Sequence, residues 1–131
     1  MGVDLVEVPR MERVLASRYA SRFLERVFSP AEREACELSP VRGQCYAARF
    51  AAKEAVAKAL GTGFGQGVSP IQITVVGGER NQPRIALHGA ALAHARFLGV
   101  SAIHVSLTHT RQYACAFAVL DGNSEEAVIH S

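Results

Sequence analysis

The feature that most constrains the fold is an alanine-rich stretch of the chain between residues 41 and 60. Alanine occupies positions 47, 48, 51, 52, 55, 57 and 59. Ser39-Pro40 precedes this stretch as a helix start signal, and Gly61 follows it as a left-handed stop. The pattern predicts one long helix whose small side chains let another stretch of backbone approach closely.

Shorter patterns on both sides of this helix predict the other elements. Residues 3–8 alternate and are rich in valine, which is typical of a strand, and Pro9 can open a helix running to about residue 19. Ser29-Pro30-Ala31-Glu32 is a capping box that begins a short helix ending near Leu38. The remaining predicted elements are strands over 71–76 and 84–87, a helix over 90–98, and strands over 103–108 and 113–120. Segregated helices and hairpins favour an α+β fold in which an antiparallel sheet packs against the long helix.

The length of 131 residues fits one domain, expected over residues 1–122, with a loose polar tail over 123–131. No apolar run approaches the roughly 18 residues that a membrane span requires. The first residues lack the basic and apolar regions of a secretory signal. A soluble protein of the cytoplasm is therefore expected.

The cysteines are three in number, and no two of them form a C-x-x-C pair. Zinc binding and a disulfide framework are both unexpected from such a pattern. Cys115 stands in an alternating apolar run, so we interpret it as a small core residue.

Asp4 is the first candidate for chemistry, because it interrupts an apolar strand. A carboxylate buried there without a partner would be costly. Either its strand face is exposed, or the carboxylate binds a hard cation that prefers oxygen ligands. The strand pattern leaves both readings open, whereas Glu7 is interpreted as simply exposed.

The long helix carries the second candidates. Tyr46, Phe50, Glu54 and Lys58 recur every four residues and share one stripe. Glu54 and Lys58 are either an exposed ion pair worth about 0.3–0.5 kcal/mol, or a metal ligand or general base beside a phosphate contact. Arg49 and Lys53, four residues apart, add positive charge on a neighbouring stripe of the helix.

Two further features are weak signals alone. Glycines at positions 61, 63, 65 and 67 form a flexible loop, but the negative end of the helix dipole there disfavours phosphate. His109 ends a predicted strand just before a turn, and a lone histidine usually has no special task.

The segment from Arg10 to Arg22 contains four arginines and one acid, Glu12. It is either a solvated helix face or a docking surface for an acidic partner. The net charge of only +2 and the few aromatic residues argue against nucleic acid binding.

Four segments together resemble the holo-acyl-carrier-protein synthases, the small bacterial type of 4'-phosphopantetheinyl transferase. The segments are Gly2-Val3-Asp4-Leu5-Val6-Glu7, Arg49-Phe50-Ala51-Ala52-Lys53-Glu54-Ala55 continuing to Lys58-Ala59-Leu60-Gly61-Thr62-Gly63, Asn81-Gln82-Pro83, and Val105-Ser106-Leu107-Thr108-His109. The resemblance covers residues 2 to about 120, and the second segment is its most specific part. It implies the phosphopantetheinyl transferase-like fold.

The resemblance also implies the site. Asp4 and Glu54 would hold Mg²⁺ together with phosphate oxygens of coenzyme A, and Glu54, Lys58 and His109 would be the catalytic residues. The residues that it places around coenzyme A are Arg49, Lys58, Gly61, Thr62, Gly63, Pro83, Ser106 and His109.

The implied reaction is attack by a carrier-protein serine on the β-phosphate of coenzyme A, with 3',5'-ADP leaving. Glu54 would take the serine proton, directly or through a water. The resemblance further implies fatty acid biosynthesis as the setting and a homotrimer in which Asp4 and His109 face Glu54 and Lys58 across a subunit interface. The residues expected to dock the acyl carrier protein are Arg10, Met11, Arg18 and Arg22.

Two alternatives from other classes remain at this point. One is a non-catalytic module that binds acidic protein or nucleic acid through its basic first helix. The other is a metal-dependent nucleotide hydrolase that uses the same carboxylates. The first leaves Asp4 and Glu54 unexplained.

Overall fold

The computed structural model describes residues 1–78 and 82–122. The expected tail and part of the turn before Pro83, including Asn81, lie outside the described residues. The strands are β1 (Gly2–Glu7), β2 (Ile73–Val76), β3 (Arg84–Leu87), β4 (Val100–His109) and β5 (Tyr113–Gly122). The helices are α1 (Val8–Leu15), α2 (Ala20–Val27), α3 (Pro30–Glu37), α4 (Arg42–Ala59) and α5 (Gly89–Phe97), with a 3₁₀ turn over Pro70–Gln72.

The predicted fold class is confirmed: α4 packs against an antiparallel sheet with the strand order β1-β5-β4. The hairpin of β2 and β3 forms a second, two-stranded sheet. Alternate residues of the central strand point at α4 and are fully buried alanines, at positions 114, 116 and 118. Small side chains of the sheet therefore pack against small side chains of α4. This is the close approach that the alanine-rich sequence of the helix predicts. Within the described residues, no helix is both long and apolar enough to cross a membrane.

One helix was not predicted from the sequence. The first helix ends at Leu15 instead of near residue 19, and α2 follows after a short turn. The Ser17 hydroxyl donates to the carbonyl of Val14 (2.7 Å) and accepts from the amide of Tyr19 (3.2 Å). A serine side chain that bonds nearby backbone groups competes with helix continuation, which explains the break.

Gly2 sets how closely β1 can approach α4. A Cβ atom built on Gly2 would collide with the backbone carbonyl oxygen of Ala55, and it would lie 3.0 Å from the amide nitrogen of Ala59. Only glycine avoids this overlap, because it has no side chain. The first strand therefore lies directly against the long helix.

A buried ion pair fixes the other side of α4. The Lys53 ammonium donates to the Glu32 carboxylate (2.8 Å) and to the carbonyls of Ile73 (2.6 Å) and Pro70 (3.1 Å). The second oxygen of Glu32 accepts from the amide of Val75 (2.9 Å). Burial lowers the pKa of Lys53, but its three donors and the carboxylate are satisfied. The pair thus ties α3, α4 and β2 together.

The cysteine prediction is wrong in two respects. Cys36 and Cys45 form a disulfide that joins the end of α3 to the start of α4. The turn after Leu38 brings these two helix ends together, a proximity that residue spacing alone does not reveal. Cys115 is the free cysteine of the three, and it is half-buried on the outward side of β5 instead of in the core.

Candidate active site

Asp4, Glu54 and Lys58 meet where β1 crosses α4. The Lys58 ammonium donates to the Asp4 carboxylate (2.7 Å) and to the carbonyl of Val3 (3.3 Å). Strand alternation places Asp4 on the inward side of β1 together with Gly2, and only 8% of Asp4 is exposed. The question that the strand pattern left open is therefore answered: Asp4 faces the helix and has a charged partner.

The cluster carries more negative than positive charge. Burial, followed by the hydrogen bond and the charge of Asp4, raises the pKa of Glu54 to about 7, although Lys58 and Arg10 oppose the shift. The hydrogen bond to Asp4 is the main cause that raises the pKa of Lys58. Two carboxylates thus share one neighbouring ammonium, and one of them becomes easy to protonate near neutral pH.

One oxygen of this cluster lacks a partner. The Oδ2 atom of Asp4 is buried and accepts no hydrogen bond from the described residues. A buried carboxylate oxygen without a donor is costly, and a bound cation would remove that cost. Two carboxylates suit Mg²⁺, which is commonly held by one or two carboxylates plus substrate phosphates and water. No group of three or more His, Cys, Asp or Glu residues gathers within the described ranges, so a substrate or water would complete the ligand set.

The cluster opens into a cleft of about 400 Å³ between β1, α1, α2 and α4. Its polar lining consists of Asp4, Glu7, Arg10 and Glu54. Its apolar lining consists of Leu5, Val6, Met11, Val14, Phe23 and Phe50. A ligand in this cleft would therefore contact an acidic end, an arginine and an apolar wall at once.

The glycine loop, residues 61–67, follows α4 one turn after Lys58. Gly61, Gly63 and Gly67 adopt the left-handed backbone region, with φ of 86°, 56° and 83°. The loop starts tightly, because the amides of Thr62 and Gly63 both donate to the carbonyl of Ala57, at 3.3 and 3.1 Å.

A single aromatic contact joins this loop to the cleft. The ring of Phe64 packs on the ring of Phe50, with centroids 6.3 Å apart. Phe50 in turn packs on Phe23 of α2, at 6.2 Å. The glycine loop is thus continuous with the cleft both along the chain and through side-chain contact.

Arg49 and Pro83 each lie near a glycine of the turn between β2 and β3. The guanidinium of Arg49 is buried and donates to the carbonyl of Gly77 (3.1 Å) and to the sulfur of Cys45 (3.0 Å). A Cβ atom on Gly78 would lie 3.6 Å from that of Pro83. Arg49 lies on α4 about one and a half turns before Glu54, and Pro83 lies beside the glycine that follows Gly77.

Ser106 and His109 lie apart from the cluster. Ser106 is exposed on the outward side of the sheet, opposite Phe117. A ring nitrogen of His109 lies 2.7 Å from the side-chain oxygen of Gln44 at the start of α4. The 14 residues from Gln44 to Lys58 span roughly 21 Å of helix, so one chain does not bring His109 to Lys58.

The expectation that a subunit interface separates Asp4 from Glu54 and Lys58 is therefore wrong. Within one chain Lys58 donates to Asp4, and Asp4 and Glu54 line the same cleft, because Gly2 lets β1 approach α4 so closely. The corresponding expectation for His109 stays a prediction.

The predicted docking residues occupy three different elements. Arg10 and Met11 lie on α1 and line the cleft, with Met11 buried. Arg18 lies in the turn that follows and donates to the hydroxyl of Tyr19 (2.7 Å). Arg22 lies exposed on α2.

Sequence reasoning missed Phe23 as part of the cleft, because it did not predict α2. The apolar spacing of Phe23 and Val27, four residues apart, is the helical signal that could have revealed it.

Comparison with known proteins identifies the family. Residues 1–118 match the model of the 4'-phosphopantetheinyl transferase superfamily. A holo-[acyl-carrier-protein] synthase of Solidesulfovibrio magneticus is 47% identical over 122 residues, covering 93% of this chain and 97% of the relative. A solved holo-[acyl-carrier-protein] synthase of Helicobacter pylori, in complex with coenzyme A, superimposes with a TM-score of 0.79 at 30% identity, covering 92% of this chain and 98% of that one.

The corresponding enzyme of Neisseria meningitidis superimposes with a TM-score of 0.80, also at 30% identity, over 92% of this chain and 95% of that one. The resemblance found in the four sequence segments is therefore confirmed. The chain belongs to the 4'-phosphopantetheinyl transferase superfamily and, within it, to the holo-acyl-carrier-protein synthases.

Proposed function

We propose that this enzyme transfers the 4'-phosphopantetheine group from coenzyme A to a serine of apo acyl carrier protein. The observation that carries the proposal is the pair of Asp4 and Glu54 in the wall of a cleft that also presents Arg10, with Lys58 bound to Asp4. The names of the relatives and the coenzyme A bound in the Helicobacter pylori structure support the choice of substrates.

In the proposed reaction, the serine oxygen forms a bond to the β-phosphorus of coenzyme A. The bond from that phosphorus to the bridging oxygen breaks, and 3',5'-ADP leaves with the electron pair. Glu54 takes the serine proton as the general base, directly or through a water. The half-exposed Lys58 ammonium, which is bonded to Asp4, stabilises the charge on the phosphate oxygens.

Asp4 and Glu54 are the residues that would hold Mg²⁺, and the unpartnered Oδ2 atom of Asp4 supports this assignment. When bound, the ion would neutralise negative charge on phosphate oxygens and orient them for displacement. Lys58 keeps Asp4 in place by its hydrogen bond, so the carboxylate is oriented before substrate arrives.

Carrier docking is proposed for Arg10, Met11, Arg18 and Arg22. Arg10 and Met11 support it directly, because they line the cleft beside the cluster. A carrier bound there would place its serine near Glu54. The arginine side chains would attract an acidic carrier surface over a distance of about 10 Å at moderate salt.

Coenzyme A binding is proposed for Arg49, Lys58, Gly61, Thr62, Gly63, Pro83, Ser106 and His109. These residues lie in several places on one chain, so the proposal includes assembly of the site between copies of the chain in a homotrimer. The outer face of the sheet supports self-association, because it exposes five large apolar residues. These are Val3, Leu5, Tyr113, Phe117 and Val119. The number three rests on the family resemblance, as do a cytoplasmic location and a role in fatty acid biosynthesis.

A mass measurement tests the proposed function. Purified apo acyl carrier protein is incubated with coenzyme A, Mg²⁺ and this enzyme, and intact masses are recorded over time. A gain of one phosphopantetheine group, with equimolar 3',5'-ADP released, supports the proposal. Nucleotide release without the mass gain indicates a hydrolase instead, and neither change indicates a binding module.

A further inference from the structure

Gln72 makes contacts that link two distant parts of the fold. It ends the 3₁₀ turn before β2 and is half-buried. Its side-chain nitrogen donates to the carbonyl of Gly67, the last residue of the glycine loop (3.0 Å). Its side-chain oxygen accepts from the amide of Ala91 in the first turn of α5 (3.0 Å).

The bond to Ala91 acts as a helix cap supplied from outside the helix. His88 stands at the N-cap position of α5, and its side chain makes no capping hydrogen bond. The first amides of a helix need acceptors, and Gln72 supplies one of them. The backbone carbonyl of Gln72 also accepts from the amide of His88 (2.8 Å), which fixes the start of α5 against the turn.

The bond to Gly67 acts on a segment whose backbone has an uncommon conformation. Gln66 and Gly67 both adopt positive φ, 55° and 83°, which is unusual for a glutamine. The start of the loop is held by the carbonyl of Ala57, as described above. The exit of the loop is held by the side chain of Gln72 and by the amide of Val68, which donates to the carbonyl of Gly65 (2.9 Å).

A shift of the loop exit would change the position of residues that contact the cleft. Phe64 stands in the middle of the loop, and its ring rests on Phe50, which lines the cleft beside Glu54. Gly61 and Gly63, at the other end of the loop, are among the residues proposed to contact coenzyme A. The loop therefore connects the Gln72 contact at its exit to the proposed coenzyme A contacts at its start.

We infer that Gln72 is a positioning residue that holds the glycine loop in its coenzyme A-binding conformation by bridging Gly67 to the start of α5. This inference rests on the proposed function, in which the loop contacts the donor. Gln72 itself touches neither substrate.

Two substitutions separate the loop contact from the helix cap. Gln72→Glu keeps an oxygen to accept from Ala91, and its negative charge suits a helix N-terminus. Its second oxygen replaces the donor nitrogen and faces the Gly67 carbonyl, so the loop bond is lost. Gln72→Ala removes both contacts. Gln112→Ala is the matched control, because the exposed Gln112 side chain makes no hydrogen bond to the described residues.

Steady-state kinetics are measured with both substrates, and coenzyme A binding is measured by calorimetry. Loss of one hydrogen bond can weaken binding by up to about tenfold. We expect Gln72→Glu and Gln72→Ala to raise both the KM and the Kd for coenzyme A several-fold. The kcat and the KM for carrier protein should change less than about twofold, and Gln112→Ala should match the wild type. Hydrogen exchange of the amides of residues 61–67 should be faster in both Gln72 variants.

The outcomes are distinguishable. If Gln72→Glu behaves as wild type in coenzyme A affinity and loop exchange while only Gln72→Ala loses thermal stability, Gln72 is merely a helix cap and the inference is overturned. If the wild type neither binds coenzyme A nor modifies carrier protein, the proposed function fails. In that case faster hydrogen exchange of residues 61–67 in Gln72→Glu still supports the role of Gln72 in holding the loop, and unchanged exchange rejects that role.

Discussion

Asp4 and Glu54 are the residues on which the proposed chemistry depends most. They lie on different elements, 50 positions apart in the chain, and yet both line the same cleft. Burial, together with the neighbouring Asp4 carboxylate, makes Glu54 harder to ionise. A protein keeps such an arrangement at a cost in stability, which is typical of a functional site.

The first prediction concerns Asp4→Asn. The amide keeps the size of the side chain and an acceptor for Lys58 but removes the charge that would bind Mg²⁺. We expect the transfer rate to fall by about 10²-fold or more, as when a key electrostatic group is removed from an active site. Asp121→Asn, on an exposed aspartate, is the control and should be silent. Full activity of Asp4→Asn in the presence of a chelator would reject the metal assignment.

The second prediction concerns pH and Glu54 in the metal-free protein. The pKa of Glu54 is about 7 when folded against an ordinary value of 4.5. Its contribution to stability is therefore fully present below about pH 4.5 and is lost as the pH rises through about 7. We expect the free energy of unfolding to fall between about pH 5 and pH 8 more steeply for the wild type than for Glu54→Gln. Denaturant titrations at several pH values measure this, and parallel curves would contradict it.

The third prediction concerns Arg10 and the carrier protein. Several arginines acting together can raise an encounter rate by a decade or more. Arg10→Glu should raise the KM for carrier protein while the affinity for coenzyme A stays nearly unchanged. The wild-type KM for carrier should also rise with salt, and that of the variant should rise less. Arg96→Glu, the same charge reversal on α5, is the control. Equal effects of the two reversals would place the docking surface elsewhere.

At the scale of elements, α4 is the part of the fold that organises the site. It carries Glu54 and Lys58 on the side of β1, and it carries Lys53 on the opposite side, in the buried pair with Glu32. That pair connects α4 to α3 and to the 3₁₀ turn, from which Gln72 reaches the glycine loop. Polar residues of α4 therefore form the candidate site on one side of the helix and a buried structural ion pair on the other.

The fourth prediction compares two ion pairs. Lys53→Met leaves the fully buried Glu32 without its cation, so we expect a loss of about 3–5 kcal/mol in the free energy of unfolding. Arg42→Met breaks the exposed pair with Glu37 and should cost only about 0–1 kcal/mol. Chemical denaturation measures both values. Similar losses for the two variants would mean that burial does not determine the cost.

Some elements could be predicted from the sequence because their signals are local. Ser29 and Glu32 form the predicted capping box, and both of its hydrogen bonds are present. The contacts that could not be predicted are those between distant segments. Gly2 reads as an ordinary strand start, and its role appears only when Ala55 lies against it. The Cys36–Cys45 disulfide was missed for the same reason, since it depends on how two helix ends meet.

The candidate site was predictable in part. Asp4, Glu54 and Lys58 were found from their residue types and from the family resemblance, and the structure brings these three together. The position of His109 beside Gln44 was not foreseen, because strand ends give no direction to a side chain. Gln72 was not identified, since a lone glutamine in a loop carries no pattern.

At the scale of the whole molecule, the outer face of the sheet is the surface that most needs a partner. Leu5 is 61% exposed and Phe117 is 50% exposed, and they lie on neighbouring strands. Adjacent exposed apolar residues of this kind mark an interaction surface. A second copy of the chain is the partner that fits the proposed assembly of the site.

The fifth prediction tests that assembly. Phe117→Glu places a charge in the centre of the outer face, so we expect monomers by light scattering and a transfer rate reduced by about tenfold or more. Phe97→Glu is the control, because Phe97 is 84% exposed at the end of α5, away from the sheet face. An active wild-type monomer of 14.0 kDa at assay concentration would refute the trimer.

A mutation that adds a side chain at Gly2 would be difficult to compensate by a second mutation. The obstacle is a backbone carbonyl, that of Ala55, and not a side chain. A Gly2→Ala allele that wedges β1 away from α4 would separate Asp4 from Lys58, and no smaller residue at position 55 could restore the space. Revertants selected for activity should therefore regain glycine at position 2, instead of carrying compensating changes in the facing helix.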